Sequence, residues 1–143
     1  MAQLSLERSD IEKLIPHRGD MLLLDKITSN GDTLVCSKYL DEGDRVFEGH
    51  FPEHSIYPGV YLVEAMAQAG AVKVNLDASS GKKEGKYYML KVDKARFRAP
   101  ALPGHTVVYE VSTSDLDGYY IIEGKAKVEG QLVASATITT MVK

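Results

Sequence analysis

The sequence of 143 residues holds a single cysteine, Cys36, and no long run of apolar residues. One cysteine cannot form an intramolecular disulfide, and it excludes zinc sites built from several cysteines. Because Cys36 lies in a strand-like stretch, a small packed residue is a better interpretation of it than a nucleophile. No segment reaches the roughly 20 apolar residues of a transmembrane helix, and residues 1–8 do not resemble a signal peptide. We therefore expect a cytoplasmic protein without a membrane span.

An excess of positive charge is also absent. The 17 lysines and arginines are outnumbered by 20 aspartates and glutamates, which gives a formal net charge of -3. Nucleic-acid-binding domains are usually basic, so this balance argues against a nucleic-acid partner. The positive charges that are present cluster in one region. Such a cluster is either an ordinary solvated surface or a docking patch for an acidic partner. The cluster consists of Lys82, Lys83, Lys86, Lys91, Lys94, Arg96 and Arg98.

The composition is that of an ordinary globular protein, with 44% hydrophobic and 26% charged residues. A chain of this length can bury a core without disulfide or metal staples. We find no internal repeat, and we expect residues 1–143 to form a single domain.

The most distinctive segment is residues 60–72, which is apolar except for a tyrosine hydroxyl, Glu64 and Gln68. Glu64 and Gln68 are four residues apart and therefore share one face of a helix. A helix that is apolar on nearly every side is a buried helix, and we expect it to extend from Pro58 to about Leu76. A carboxylate in such a helix needs a reason, because burying an unpaired charge is costly.

Strand patterns flank this segment on both sides. Upstream, residues 21–28 form a short apolar run typical of a buried strand, Asn30-Gly31 predicts a hairpin turn, and residues 33–40 predict the returning strand. A short helix capped at Ser9 is expected before them, and residues 41–48 are polar and irregular.

Downstream, a Ser/Gly/Lys connection over residues 77–85 leads into a part of the chain that contains only strands. Their alternation predicts a sheet with one buried face and one solvated face. One long apolar helix and five to six antiparallel strands predict an α+β fold, in which the sheet wraps around the central helix. The downstream strands are expected over residues 86–92 (leading to 95–98), 106–112, 119–128 and 132–141.

Several separated motifs carry a resemblance to one family. The main run is Gly49-His50-Phe51-Pro52, followed by Pro58-Gly59-Val60 and Glu64-Ala65-Met66-Ala67-Gln68. Three further stretches agree in the same order: Ile15-Pro16-His17-Arg18 with Leu23-Leu24-Asp25, Asp93-Lys94-Ala95-Arg96-Phe97-Arg98, and Pro103-Gly104. Together they resemble the 3-hydroxyacyl-[acyl-carrier-protein] dehydratases of the FabZ type, which have the hot-dog fold.

The resemblance implies that His50 and Glu64 are the catalytic pair and that they meet across a dimer interface. It implies a 3-hydroxyacyl substrate carried on the phosphopantetheine arm of acyl carrier protein. Loss of water would give the trans-2-enoyl thioester, as a step of fatty-acid elongation, with no metal and no organic cofactor. The expected assembly is a homodimer or a hexamer built as a trimer of dimers.

The residue types suit this chemistry. Dehydration needs a base for the C2 proton and an acid for the C3 hydroxyl. His50 suits the base, and Glu64 in an apolar helix is expected to have a pKa raised by desolvation, so that it holds the acid proton. The N–H of Gly59 at the helix start is the candidate for stabilising the thioester oxygen. Gln68 is expected to orient the Glu64 carboxyl group.

Other residues keep two interpretations or a structural one. Glu64 itself could be a buried ion-pair partner, although no lysine or arginine lies on the helix before Lys73. The residues expected either to line an acyl tunnel or to pack in the core are Phe51, Tyr57, Val60, Tyr61 and Phe97. Those expected to dock the acidic carrier protein are Lys94, Arg96 and Arg98. The histidines expected to be structural or solvent-exposed are His17, His54 and His105.

The chain departs from the family pattern near the expected site. Gly19-Asp20-Met21 follows the His-Arg pair, where the family usually has an aromatic-Pro-Phe segment. Tyr57 stands where methionine is common, and Tyr61 where a smaller aliphatic residue is frequent, which bears on the preferred chain length. Two rival interpretations are an acyl thioesterase of the same fold and a non-catalytic acyl-binding subunit. The presence of both His50 and Glu64 favours the dehydratase.

Overall fold

The computed structural model describes residues 2–78 and 86–142. Within them, seven antiparallel strands form one sheet in the order β1-β2-β3-β5-β6-β7-β4. The strands are β1 (Ala2–Glu7), β2 (Lys26–Asn30), β3 (Leu34–Tyr39), β4 (Tyr87–Phe97), β5 (Thr106–Leu116), β6 (Tyr119–Val128) and β7 (Gln131–Val142). The helices are α1 (Arg8–Glu12), α2 (Val46–Gly49) and α3 (Gly59–Asp77), with a 3₁₀ turn at Gly19–Met21. Most of the expected Ser/Gly/Lys connection, with Lys82 and Lys83, lies outside the described residues.

Helix α3 is the centre of the fold, and its predicted position is confirmed to within one residue at each end. Pro58 precedes the first turn of α3, and most side chains of this helix are buried. Strands β3 to β7 contact one side of α3. At that contact the side chain of an alanine at Gly70 would overlap Ile122, so a residue without a Cβ allows the helix and sheet to approach closely.

The other side of α3 is covered by the segment that follows α1. The Asn75 side chain donates to the Leu14 carbonyl at 2.7 Å, and the Gln68 amide group binds the backbone of Met21 and Leu23. The predicted α+β arrangement, an antiparallel sheet packed on one central helix, is therefore confirmed, and an irregular segment supplies the wall on the other side of the helix.

The same packing corrects the strand predicted over residues 21–28, since β2 begins only at Lys26. Leu22, Leu23 and Leu24 are all buried. Three consecutive buried side chains do not fit a strand with one solvated face, because its side chains alternate between faces. The Leu23 N–H binds the Gln68 side chain at 2.9 Å instead of a neighbouring strand.

The sheet has seven strands rather than five to six, because β1 was not predicted. Of the β1 side chains that the structure describes, Leu4 and Leu6 turn toward the core, between exposed polar residues, so the apolar signal is weak. Two smaller differences occur elsewhere. A single turn of helix, α2, forms within the stretch expected to be irregular, and α1 is capped through Glu7 and Asp10 rather than Ser9.

Strand β4 is one continuous strand with register shifts after Met89 and Asp93, where two pieces were expected. It is the last strand of the sheet and pairs only with β7. Its apolar side chains are exposed at Tyr88, Leu90 and Val92. Among the described residues, no helix is both long and apolar enough to cross a membrane.

Candidate active site

His50 lies directly after α2, at the end of that single helical turn. Its Nδ1 atom is 2.7 Å from the carbonyl oxygen of Ile56. A carbonyl oxygen only accepts hydrogen bonds, so in the neutral ring Nδ1 carries the hydrogen and Nε2 keeps a free lone pair. The ring of Phe51 stacks on the imidazole, with centroids 4.1 Å apart. The local fold thus holds an imidazole that presents a basic nitrogen.

Glu64 lies on α3, and its side chain is 30% exposed in the single chain. The Gln68 Nε2 atom donates to Glu64 Oε2 at 2.8 Å, and the His17 Nε2 atom is 3.5 Å from the same oxygen. Among the described residues, no lysine or arginine pairs with Glu64, and Oε1 has no hydrogen-bond or ion-pair partner. One carboxyl oxygen is therefore held by the protein while the other is free.

Gln68 is 1% exposed, and its amide group is fixed from two directions. The Oε1 atom accepts from the Leu23 N–H at 2.9 Å, and Nε2 donates to the Met21 carbonyl at 2.8 Å as well as to Glu64. These backbone contacts decide which end of the amide faces Glu64, because only the NH₂ end can donate. The orienting contact expected between Gln68 and Glu64 is thus present.

His17 contacts Glu64, which sequence reasoning missed. The guanidinium of Arg18 holds the turn that carries it, donating to the carbonyls of Ile15, His17 and Glu12 at 2.7–2.8 Å. Burial lowers the pKa of His17; the nearby Glu64 charge partly offsets this effect and Arg18 adds to it. The signal that could have identified His17 was its place in a motif of the resemblance, because the contact joins residues far apart in the chain.

Gly59 is the first residue of α3, where backbone N–H groups have no partner within the helix. A Cβ atom at this position would lie 2.9 Å from the ring of Phe97. Gly59 and Phe97 line a cavity of about 410 Å³ together with Tyr57, Leu62 and Arg98. An acceptor atom in this cavity would be near the positive end of the helix dipole.

The single chain does not bring His50 and Glu64 together. No hydrogen bond or ion pair within the described part of the chain joins them. Glu64 instead lines a small cavity of about 70 Å³ with His17, Gln68 and Tyr87, and His50 is not among its lining residues. Within the described part of the single chain, the two side chains therefore lie in different surroundings.

The residues expected in an acyl tunnel fall into two groups. Phe51, Val60 and Phe97 are exposed, at 49%, 69% and 53%. Tyr57 is 2% exposed and belongs to the core, where burial raises its pKa. Its ring meets that of half-buried Tyr61 edge-on at 5.6 Å. Tyr57 also borders the cavity at Gly59, so it is both a core residue and part of that wall.

Comparison with known proteins identifies the family. The model of the FabA-like domain matches residues 15–137. The 3-hydroxyacyl-[acyl-carrier-protein] dehydratase FabZ of Nitratiruptor sp. is 38% identical over 96% of this chain and 97% of its own. That of Campylobacter lari is 41% identical over 92% and 94%. The chain belongs to the FabZ-type dehydratase family.

Solved structures agree with the hot-dog fold of this family. The dehydratase heterocomplex ApeI:P from Xenorhabdus doucetiae matches with a TM-score of 0.77 and 16% identity, over 93% of this chain and 90% of that chain. A hypothetical thioesterase with coenzyme A from Streptococcus pneumoniae matches with a TM-score of 0.63 and 12% identity, over 94% and 95%. Since both a dehydratase and a thioesterase have this architecture, the fold alone does not choose between FabZ-type dehydration and hydrolysis.

The three cationic residues expected to dock a carrier protein lie together. Lys94, Arg96 and Arg98 are exposed and line one groove of about 440 Å³ on the face of the sheet opposite α3. Two carboxylates, Glu110 and Glu123, line the same groove, so its charge is mixed. Arg98 also borders the cavity at Gly59, so one residue lines both the groove and the candidate active site of this FabZ-type chain.

Proposed function

We propose that this protein dehydrates (3R)-hydroxyacyl-[acyl-carrier-protein] to the trans-2-enoyl thioester in fatty-acid or related acyl-chain biosynthesis, in the cytoplasm, with His50 and Glu64 as the acid–base pair. The names of its relatives support the reaction and the carrier. The observation that carries the residue assignment is the hydrogen bond from His50 Nδ1 to Ile56, since it leaves Nε2 free as a base. The oxygen Oε1 of Glu64 is the matching free position for an acid.

In the proposed reaction, His50 Nε2 takes the proton from C2 of the substrate. The electron pair of that C–H bond forms the C2–C3 double bond, and the C3–O bond breaks. Glu64 Oε1 gives its proton to the departing hydroxyl, which leaves as water. Negative charge that develops on the thioester oxygen is stabilised by the N–H of Gly59 at the start of α3.

The reaction requires a homodimer, in which His50 of one chain faces Glu64 of the other. The lack of a contact between the two residues within the described part of one chain supports this arrangement. So do the free edge of β4, which pairs only with β7, and the exposed apolar side chains of Val60 and Leu90. An unpaired strand edge and an apolar surface are features that a second copy can cover. A trimer of such dimers is the larger assembly we propose.

Acyl carrier protein is the proposed carrier, docked at Lys94, Arg96 and Arg98. Arg98 lines both this groove and the Gly59 cavity, which supports docking there. Reversing these three charges should raise KM for carrier-linked substrate much more than KM for a small thioester mimic. The control is Lys13→Glu, because Lys13 is exposed and directly follows the last residue of α1. Equal effects on both substrates would contradict docking.

The direct test offers the purified protein (3R)-hydroxyacyl carrier thioesters and follows the products by mass spectrometry. We expect enoyl thioester from the parent protein and none from His50→Ala or Glu64→Ala, with folding retained in both. Free acid without enoyl product would show a thioesterase instead. Binding without turnover would show an acyl-binding subunit. Continued turnover by both variants would reject the catalytic pair.

A further inference from the structure

Both protein contacts of the Glu64 carboxyl group fall on the same oxygen, Oε2. Gln68 donates to it at 2.8 Å, and His17 Nε2 lies 3.5 Å from it. We infer that His17 is a positioning residue that, together with Gln68, holds Oε2 and so leaves Oε1 to carry the acid proton. This inference rests on the proposed role of Glu64 in dehydration.

The surroundings of His17 indicate which ring nitrogen carries the hydrogen. Its Nδ1 atom is buried and has no hydrogen-bond partner among the described residues. A hydrogen on Nδ1 would be an unsatisfied buried donor, whereas a hydrogen on Nε2 points toward Glu64 Oε2. The favoured form is therefore the neutral ring with its hydrogen on Nε2. Burial, which lowers the pKa of His17, favours the same neutral state.

Neutral His17 fits both stages of the proton transfer. While Glu64 is protonated on Oε1, Oε2 is a carbonyl oxygen that accepts from Gln68 Nε2 at 2.8 Å and faces His17 Nε2 at 3.5 Å. After the proton leaves, the same donors face the new negative charge, and hydrogen bonds to a charged acceptor are stronger. The other polar groups near the pair are the Arg18 guanidinium beside His17 and Tyr87 and Thr140, which line the cavity.

Protonated His17 would work against catalysis. A cationic ring 3.5 Å from Oε2 would form an ion pair with the Glu64 carboxylate, and this pair would disfavour the protonated acid that the reaction needs. It would also place a second, unsatisfied N–H in the buried pocket. Acidification therefore lowers activity through His17.

The test compares His17→Leu, which removes the donor, with His17→Gln, which keeps an N–H donor but does not titrate. We expect His17→Leu to lower kcat about tenfold to a hundredfold with little change in KM, the effect of one hydrogen bond to a charged group. His17→Gln should retain kcat to within about threefold of the parent, the scale of a small geometric change. The acid limb of its pH profile should be less steep. His54→Leu, at an exposed histidine, is the matched control.

Two further readouts separate this inference from the proposed function. If the parent dehydrates the substrate and His17→Leu keeps its kcat, the positioning role is wrong and the proposed function stands. If the parent does not dehydrate the substrate, the proposed function fails, and ¹⁵N NMR of the histidine rings still decides the His17 geometry. A hydrogen on His17 Nε2, with a chemical shift that changes in Glu64→Ala, supports the inferred His17 geometry. A hydrogen on Nδ1, or no response to Glu64→Ala, overturns it.

Discussion

Replacing Gln68 with leucine is expected to destabilise the protein by about 2–4 kcal/mol. The largest part comes from the backbone N–H of Leu23, a residue that is 2% exposed. Among the described residues this N–H donates to Gln68, and an orphaned buried donor costs about 1–3 kcal/mol. The lost bond to Glu64 adds about 1 kcal/mol, since that carboxylate is partly solvated and its interactions are screened. The Met21 carbonyl adds little, because Met21 is exposed and water can replace the amide.

The assay is chemical denaturation of Gln68→Leu and the parent at one protomer concentration, because dimer stability depends on concentration. The free energy of unfolding follows from the midpoint and the m-value. Gln131→Leu, at the exposed start of β7, is the control for exchanging an amide for an apolar side chain. Ordinary surface substitutions change stability by less than about 0.5 kcal/mol. A loss in that range for Gln68→Leu would refute the view that Gln68 fixes the segment after α1, which contains Met21 and Leu23, to α3.

Three further predictions concern stability. Gly70→Ala should cost about 1–3 kcal/mol, because the added methyl group meets Ile122 in a packed core. Lys73→Met should cost about 1–3 kcal/mol, because the buried ammonium donates to the Gly31 carbonyl at 2.6 Å and pairs with Asp77 at 3.0 Å. His17→Gln should lose less stability than the parent on acidification from pH 7 to 5. Burial holds the native pKa of His17 below the ordinary histidine value of 6.5, so the unfolded chain takes up the proton first. The stability present above pH 6.5 is therefore lost as the pH falls through the native pKa.

Each of these changes has a matched control in the unfolding assay. Gly43→Ala introduces a methyl group where only ordinary contact is available, Lys13→Met removes an exposed ammonium, and His54→Gln removes an exposed imidazole. If Gly70→Ala or Lys73→Met is no more destabilising than its control, the corresponding contact does not stabilise the fold. Identical acid sensitivity of His17→Gln and the parent would contradict the neutral, buried state of His17.

The elements with a strong periodic signal could be predicted from the sequence. Helix α3 and strand β6 lie where the apolar run and the alternation predicted them. Strand β1 was missed because two of its described side chains, Leu4 and Leu6, point inward and alternate with exposed polar residues. The sequence predicts a strand at Leu22–Leu24 because a short apolar run has the same hydrophobic pattern whether it pairs with a strand or covers a helix.

The candidate site was predictable only in part for a related reason. His50, Gly59, Glu64 and Gln68 belong to the stretch that carries the main part of the family resemblance. His17 lies on a separate turn, and its approach to Glu64 depends on how the covering segment crosses α3, which no local pattern encodes. The desolvation expected for Glu64 also depends on tertiary structure, because the face of α3 that carries Glu64 is partly open in the single chain.

We propose that His50 and Glu64 act as a pair from different chains. Subunit complementation tests this pairing most directly. His50→Ala and Glu64→Ala chains are co-expressed with different affinity tags, and native mass spectrometry verifies that mixed dimers form. One of the two sites in each mixed dimer is then intact, so a randomly assorted population should regain about a quarter of the parent activity per chain. Activity no higher than that of the separate inactive variants, with mixed dimers present, would contradict the claim.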